Sequence, residues 1–216
     1  KAVEFSEDDY RNLFAYAEQV GIVAFASVWD LPSLERMERV GSPCHKIPSA
    51  RAHDTALIRA AAATGKPLIV STGMCEMTDV ETAVRAARTG GGVFRTENLI
   101  LLACTSAYPA RHDESNLRVI QTYKREFGCP VGFSSHKIGI ATCVLAVAAG
   151  ANLVERHITL SRDMKGSDHR MSSEPEDLVR LVKEIRYAEA CLGDGHKIVY
   201  PSEESERRRL RGDDRT

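Results

Sequence analysis

Residues 129–160 read CPVGFSSHKIGIATCVLAVAAGANLVERHITL: an apolar run, a helix-period segment and a second apolar run, with polar side chains where each run ends. This is the pattern of a strand, a crossover helix and a second strand, and strands joined in that way run parallel. Their closing residues emerge at the same edge of a sheet, on neighbouring strands about 4.8 Å apart. Those closing residues are His136 and His157. The segment 138–149 between them is apolar nearly all round apart from Thr142, which predicts a helix packed on a sheet rather than one facing solvent. Two imidazoles so placed can share one metal ion, or each can bond a backbone carbonyl; the pair alone does not choose.

The rest of the chain repeats the unit. From Ile22 onward a short apolar run, a polar break and a helix-period segment recur about every 20 to 30 residues, the rhythm of βα units. Six strands are predicted, near residues 22–27, 43–47, 67–71, 99–104, 130–135 and 152–158, parallel and adjacent in sequence order, each followed by a helix. Before the first lies a helix capped by Ser6 with Asp9, whose Leu13, Ala17 and Val20 share a face. Asp54 starts a helix that stops at Gly65; Thr78 with Glu81, and Ser173 with Glu176 behind Pro175, read as capping boxes. The last of these helices places Leu178, Leu181, Val182, Ile185 and Leu192 on one face.

Strands alternating with helices mean a parallel sheet, either doubly wound or closed into a (β/α)8 barrel. In an open sheet polar residues gather at one switch point, whereas in a barrel every strand end faces a common centre. All six predicted strands end polar: Ser27, Ser49, Ser71-Thr72, Thr105-Ser106, Ser134-Ser135-His136 and His157-Thr159. The expected fold is therefore α/β, a TIM (β/α)8 barrel. Six strands against eight leads us to expect two βα units upstream of Lys1, with residues 1–200 as a partial barrel and 201–216 as a charged tail.

Composition sets outer bounds. The net charge of -1 offers no overall attraction to nucleic acid or an acidic membrane, and no apolar run reaches membrane-spanning length. Cys44, Cys75, Cys104, Cys129, Cys143 and Cys191 are scattered singly, without a C-x-x-C pair, and nothing at the start reads as a signal peptide. A reducing cytoplasm is the expected location.

At the sheet rim, Lys46 with Ser49 offers an ammonium and a hydroxyl to an anion, and Ser71, Thr105, Ser106 and Ser134 add hydroxyls around it, the donor types that hold a phosphate. Gly73, between strand and helix, allows close backbone approach.

The segments KIPS (46–49), PLIVSTGM (67–74), ILLACTSAYP (100–109), VGFSSHKIGI (131–140), LVERHITL (153–160) and GSDHRMSSEP (166–175) together resemble the N-acetylneuraminate (sialic acid) synthase family, with its legionaminic acid, pseudaminic acid and spore-coat relatives. The resemblance implies a TIM-barrel enzyme that condenses phosphoenolpyruvate with an N-acetylated amino sugar to a nonulosonic acid and phosphate. It implies a divalent metal, manganese or magnesium, on His136 and His157. Phosphoenolpyruvate-binding positions carry over to Ser27, Lys46, Ser49, Ser71, Ser106 and Ser134, and sugar-binding positions to Tyr108 and Asp168; His136, His157 and Lys46 become the catalytic set. A homodimer is also implied, through a C-terminal antifreeze-like domain that these residues do not include.

Three positions depart from the family's usual pattern. Gly-Glu after KIPS is Ala50-Arg51, an Asp before the first histidine is Ser135, and Thr-Pro-Phe after the first strand is Ser27-Val28-Trp29. These departures keep two other readings open: a non-catalytic relative that binds a sugar or a partner, and another phosphoenolpyruvate or aldolase-type barrel enzyme.

Overall fold

Five apolar runs form the strands β1 (His45–Ile47), β2 (Leu68–Ser71), β3 (Leu99–Cys104), β4 (Val131–Ser135) and β5 (Val154–Arg156). In the computed structural model, which describes residues 4–91 and 95–212, they pair parallel in sequence order, β1-β2-β3-β4-β5. The register sets Ile69 opposite Ile100, Cys104 opposite Ser134 and Ser134 opposite Glu155. Helices α1 (Glu7–Gln19) and α2 (Leu31–Arg39) precede β1, and α3 (Thr55–Ala63), α4 (Met77–Arg88), α5 (Val119–Phe127), α6 (Ala141–Ala148) and α7 (Pro175–Leu192) follow the five strands in turn. Parallel pairing with a helix after every strand is as expected.

Side chains alternate across each strand. Ile47, Leu68, Val70, Leu99, Leu101, Ala103, Val131 and Phe133 face outward and build the core with Leu34, Met37, Leu57, Ile58, Val80, Val84 and Ile120 of the helices. The inward set is Lys46, Ile69, Ser71, Leu102, Cys104, Ser134 and Glu155. The sheet is strongly curled: Lys46 and Glu155 lie on its two outermost strands, which a flat sheet would hold about 19 Å apart, yet their charged groups meet at 3.3 Å. The described residues form a half-barrel.

Several expectations need correction. Residues 22–27 form no regular strand; Ser27 alone bridges to Lys46, in parallel, and Ile22 and Val23 are 64% and 74% exposed, because among the described residues nothing covers that edge. The described residues therefore supply a five-stranded sheet where six strands were expected. Helix α6 begins at Ala141, three residues later than predicted, and its Leu145 is 59% exposed, so only one side packs inward, through Cys143, Ala146 and Val147. On α7 only Leu181 is buried, and the neighbouring Leu178, Val182 and Leu192 are exposed.

Caps shift by one or two residues. The cap of α4 is Glu76 with Asp79, and that of α7 is Glu174 with Asp177, because a carboxylate at either end satisfies the first-turn amides as a hydroxyl would. Ser6 with Asp9 on α1 and Asp54 on α3 cap as predicted. The charged segment beyond Pro201 carries a helix, α8 (Glu204–Arg211), in which Arg208 pairs with Glu204 and Arg209 with Glu206. No described helix is long and apolar enough to cross a membrane.

Candidate active site

The strand ends surround a cleft of about 460 Å³, lined by Ser27, Lys46, Ser49, Ser71, Ser106, Tyr108, Ser134, His136, His157 and Asp168, all expected there. On one wall Lys46 Nζ lies 3.3 Å from Glu155 Oε2, while Ser134 Oγ donates to Glu155 Oε1 at 2.7 Å. Next to them the Ser71 hydroxyl is buried without a hydrogen-bond partner. A buried orphan hydroxyl is costly, and a ligand entering the cleft is a natural acceptor for it. Gly73 makes the neighbouring corner: its N–H donates to Ser49 Oγ at 3.0 Å, and a Cβ there would stand 2.1 Å from Ser106 Oγ and 2.9 Å from Ser49 Oγ. Two hydroxyls thus converge on bare backbone, in a space that any side chain would fill.

The imidazoles lie two residues beyond two of these side chains, His136 after Ser134 and His157 after Glu155, on the same faces. The rings of His136 and His157 lie 5.3 Å apart, nearly edge to face, and Tyr108 leans over His136 at 4.3 Å. His136 Nδ1 is 2.9 Å from the Thr105 carbonyl. A carbonyl can only accept, so Nδ1 carries the proton and the Nε2 lone pair is left for another partner. Burial lowers the His136 pKa, but its contacts with Cys104 and with the Thr105 carbonyl outweigh burial and leave it raised. His157 is lowered, by burial first and by the charge of His136 second. Asp168 Oδ2 stands 3.8 Å from His157 Nδ1, too far for a hydrogen bond and close enough to favour a positive ring.

Six further residues line the cleft without having been assigned a role from the sequence: Trp29, Pro48, Ala50, Met74, Cys104 and Glu155. Two of them were readable from alternation, since Glu155 lies two before His157 and Cys104 two before Ser106, each pair on one face. The Cys104 thiol is 3.7 Å from Ser49 Oγ and 3.9 Å from His136 Nδ1; burial raises its pKa, and His136 together with the Ser49 and Ser134 hydroxyls more than offsets this, so it is lowered. Trp29 was singled out as a departure from the family without a place in the site. One expectation fails here. The Thr105 hydroxyl turns away from the cleft to the Glu114 carbonyl at 2.8 Å. Arg51 adds no cation to the cleft lining, because its guanidinium pairs with Asp54 one turn on.

A curled parallel sheet with helices outside, and hydroxyls, a lysine, a carboxylate and two imidazoles gathered at its strand ends, defines an α/β protein with a half-barrel sheet and a polar cleft. The chain belongs to the NeuB family, which it matches over residues 1–197. It is 39% identical over 202 residues to the human N-acetylneuraminate-9-phosphate synthase, covering 93% of this chain and 55% of that protein. To the N,N'-diacetyllegionaminic acid synthase of Legionella pneumophila it is 38% identical over 197 residues, 91% of this chain and 55% of that one. The chain thus spans about half the length of these relatives. Among solved structures it resembles the N-acetylneuraminic acid synthetase of Leptospira borgpetersenii with a TM-score of 0.87 and 34% identity, covering 96% of this chain and 72% of that one.

Proposed function

We propose that this chain carries the reaction centre of a synthase that joins phosphoenolpyruvate to an N-acetylated amino sugar of the N-acetylmannosamine kind, yielding a nonulosonic acid and phosphate. The observation that carries this reading is the meeting of two chemically different sets of side chains in one cleft. Lys46, Ser49, Ser71, Ser106 and Ser134 offer donors to a phosphate, and His136 and His157 line the same cleft. The names of the human and Legionella relatives support the product class.

The imidazoles fit a divalent cation, proposed as manganese or magnesium. His136 is held in the tautomer that presents Nε2, and the rings are close enough to share an ion. Among the described residues no group of three or more His, Cys, Asp and Glu side chains could hold a metal, so substrate and water would complete the shell. When bound, such an ion polarises the sugar aldehyde as a Lewis acid.

The remaining steps fall to the chain's own residues. Lys46 neutralises the phosphate and holds it as it leaves, after the enol carbon has bonded to the aldehyde carbon and water has added beside the phosphate oxygen. Glu155, on the same wall as Lys46 and Ser134, is the carboxylate placed to take the proton of that water. Tyr108 and Asp168 at the mouth hold the sugar. The full (β/α)8 barrel is part of this proposal: the exposed Ile22 and Val23 on one edge and Ile158 and Leu160 on the other call for apolar cover.

The test is an assay with phosphoenolpyruvate, N-acetylmannosamine and manganese, following phosphate release and product mass together. Equal amounts of phosphate and nonulosonic acid are expected. Phosphate without a condensed product, or neither, overturns the reading.

A further inference from the structure

Arg156 stands between the two histidine-bearing strand ends, and it faces away from the cleft, since alternation along β5 points Glu155 and His157 inward and Arg156 outward. Its guanidinium collects the backbone of both strand ends and of the loop that follows. Nη1 donates to the carbonyls of Ser135 at 3.3 Å and Lys137 at 2.5 Å, the two residues flanking His136, and reaches Ser135 Oγ at 3.4 Å. Nη2 donates to the Met171 carbonyl at 2.8 Å, and Nε to Ser173 Oγ at 3.1 Å. Ser173 is itself tied to the histidine strand, its N–H donating to the His157 carbonyl at 2.9 Å.

All these acceptors are carbonyls and hydroxyls; none is a carboxylate. A half-buried cation is costly unless its donors are satisfied, and here they are satisfied by backbone groups beyond the end of the strand ladder, whose last β4–β5 pair is Ser135 with Arg156. A fork of five fixed N–H groups is needed to hold three elements at once, and the compact ammonium of a lysine cannot span them.

We infer that Arg156 is a positioning residue that sets the spacing of His136 and His157, and through Met171 the placement of the Asp168 loop, so that the two imidazoles meet one ion. This rests on the two-histidine metal site proposed above.

The test is manganese binding followed by electron paramagnetic resonance, for wild type, Arg156→Lys, His136→Ala and His157→Ala, with cobalt absorption spectra of the first two. Loss of an outer partner of metal ligands typically weakens affinity roughly tenfold to hundredfold, and that is the expected effect of Arg156→Lys, together with an altered cobalt visible band. Phosphoenolpyruvate affinity without metal should stay close to wild type, because Lys46, Ser49, Ser71 and Ser106 lie on or after β1, β2 and β3. A residue that merely stabilises the fold would lower the melting temperature and leave manganese affinity and the cobalt band unchanged; that result overturns the inference. Should both histidine variants bind manganese like wild type, the metal site itself is wrong and the inference falls with it. If Arg156→Lys does not fold, Ser173→Ala, which removes only the Nε anchor, replaces it: weaker manganese binding supports the inference and wild-type binding rejects it.

Discussion

Lys46 Nζ and Glu155 Oε2 meet at 3.3 Å across the inside of the sheet, although their strands are the first and last of five. The contact gives the lysine a partner while no anion is present and leaves its charge inside the cleft, where its side chain is only 12% exposed. The phosphate proposed to bind here would compete with Glu155 for this ammonium.

Replacing Lys46 with Met keeps the apolar stem and removes the charge. A lost hydrogen bond to a charged group costs about 1.5 to 3 kcal/mol, so phosphoenolpyruvate binding should weaken roughly tenfold to hundredfold. Manganese binding should hold steady, since the imidazoles directly follow β4 and β5 while Lys46 is on β1. Calorimetry on wild type and Lys46→Met compares both; equal phosphoenolpyruvate affinities would remove Lys46 from the site.

His136→Ala and His157→Ala should each abolish tight manganese binding, because neither leaves two imidazoles to share the ion. Titration of each variant in the absence of substrate measures it. Wild-type affinity in both would mean that the rings serve only to bond their neighbours.

Gly73→Ala probes the hydroxyl corner. The added Cβ would meet Ser106 Oγ at 2.1 Å, and that hydroxyl can rotate away, so the fold should survive while a donor to the anion is lost. We expect phosphoenolpyruvate affinity to fall by about tenfold, as for one charged hydrogen bond, with a melting temperature near wild type. A collapse in stability with affinity intact would show that Gly73 serves packing alone.

His45 lies at the other end of β1, buried, with Nε2 2.7 Å from Glu38 Oε1 and Nδ1 unpartnered. Burial pushes its pKa below 6.5 and outweighs the opposing pull of Glu38. The unfolded chain then binds a proton more readily than the folded one, so this residue's contribution is present above pH 6.5 and is lost as pH falls below it. Urea unfolding at about pH 7.5 and about pH 5.5 should show a smaller loss of stability on acidification in His45→Gln than in wild type. An equal or larger loss in the variant would contradict the assignment.

Much of this architecture was legible along the chain. Strand-helix alternation, parallel sequential order and the polar strand ends all follow from two local periods, two residues for strands and 3.6 for helices. The histidine pair was legible for the same reason, as two ends of one strand-helix-strand unit. Cap positions slipped at α4 and α7 because neighbouring Ser, Thr, Glu and Asp side chains compete to cap the same amides.

Residue types and strand ends were thus determined by the sequence itself, since hydrophobic alternation places each side chain on one face of one element. Which of them meet was decided by the tertiary structure alone. The Lys46–Glu155 contact, the Thr105 carbonyl that selects the His136 tautomer, and the Arg156 fork all join residues on different strands and loops. Their separations depend on twist and curl accumulated over successive strand pairs, together with the loops that end them, and no short window of sequence carries that sum.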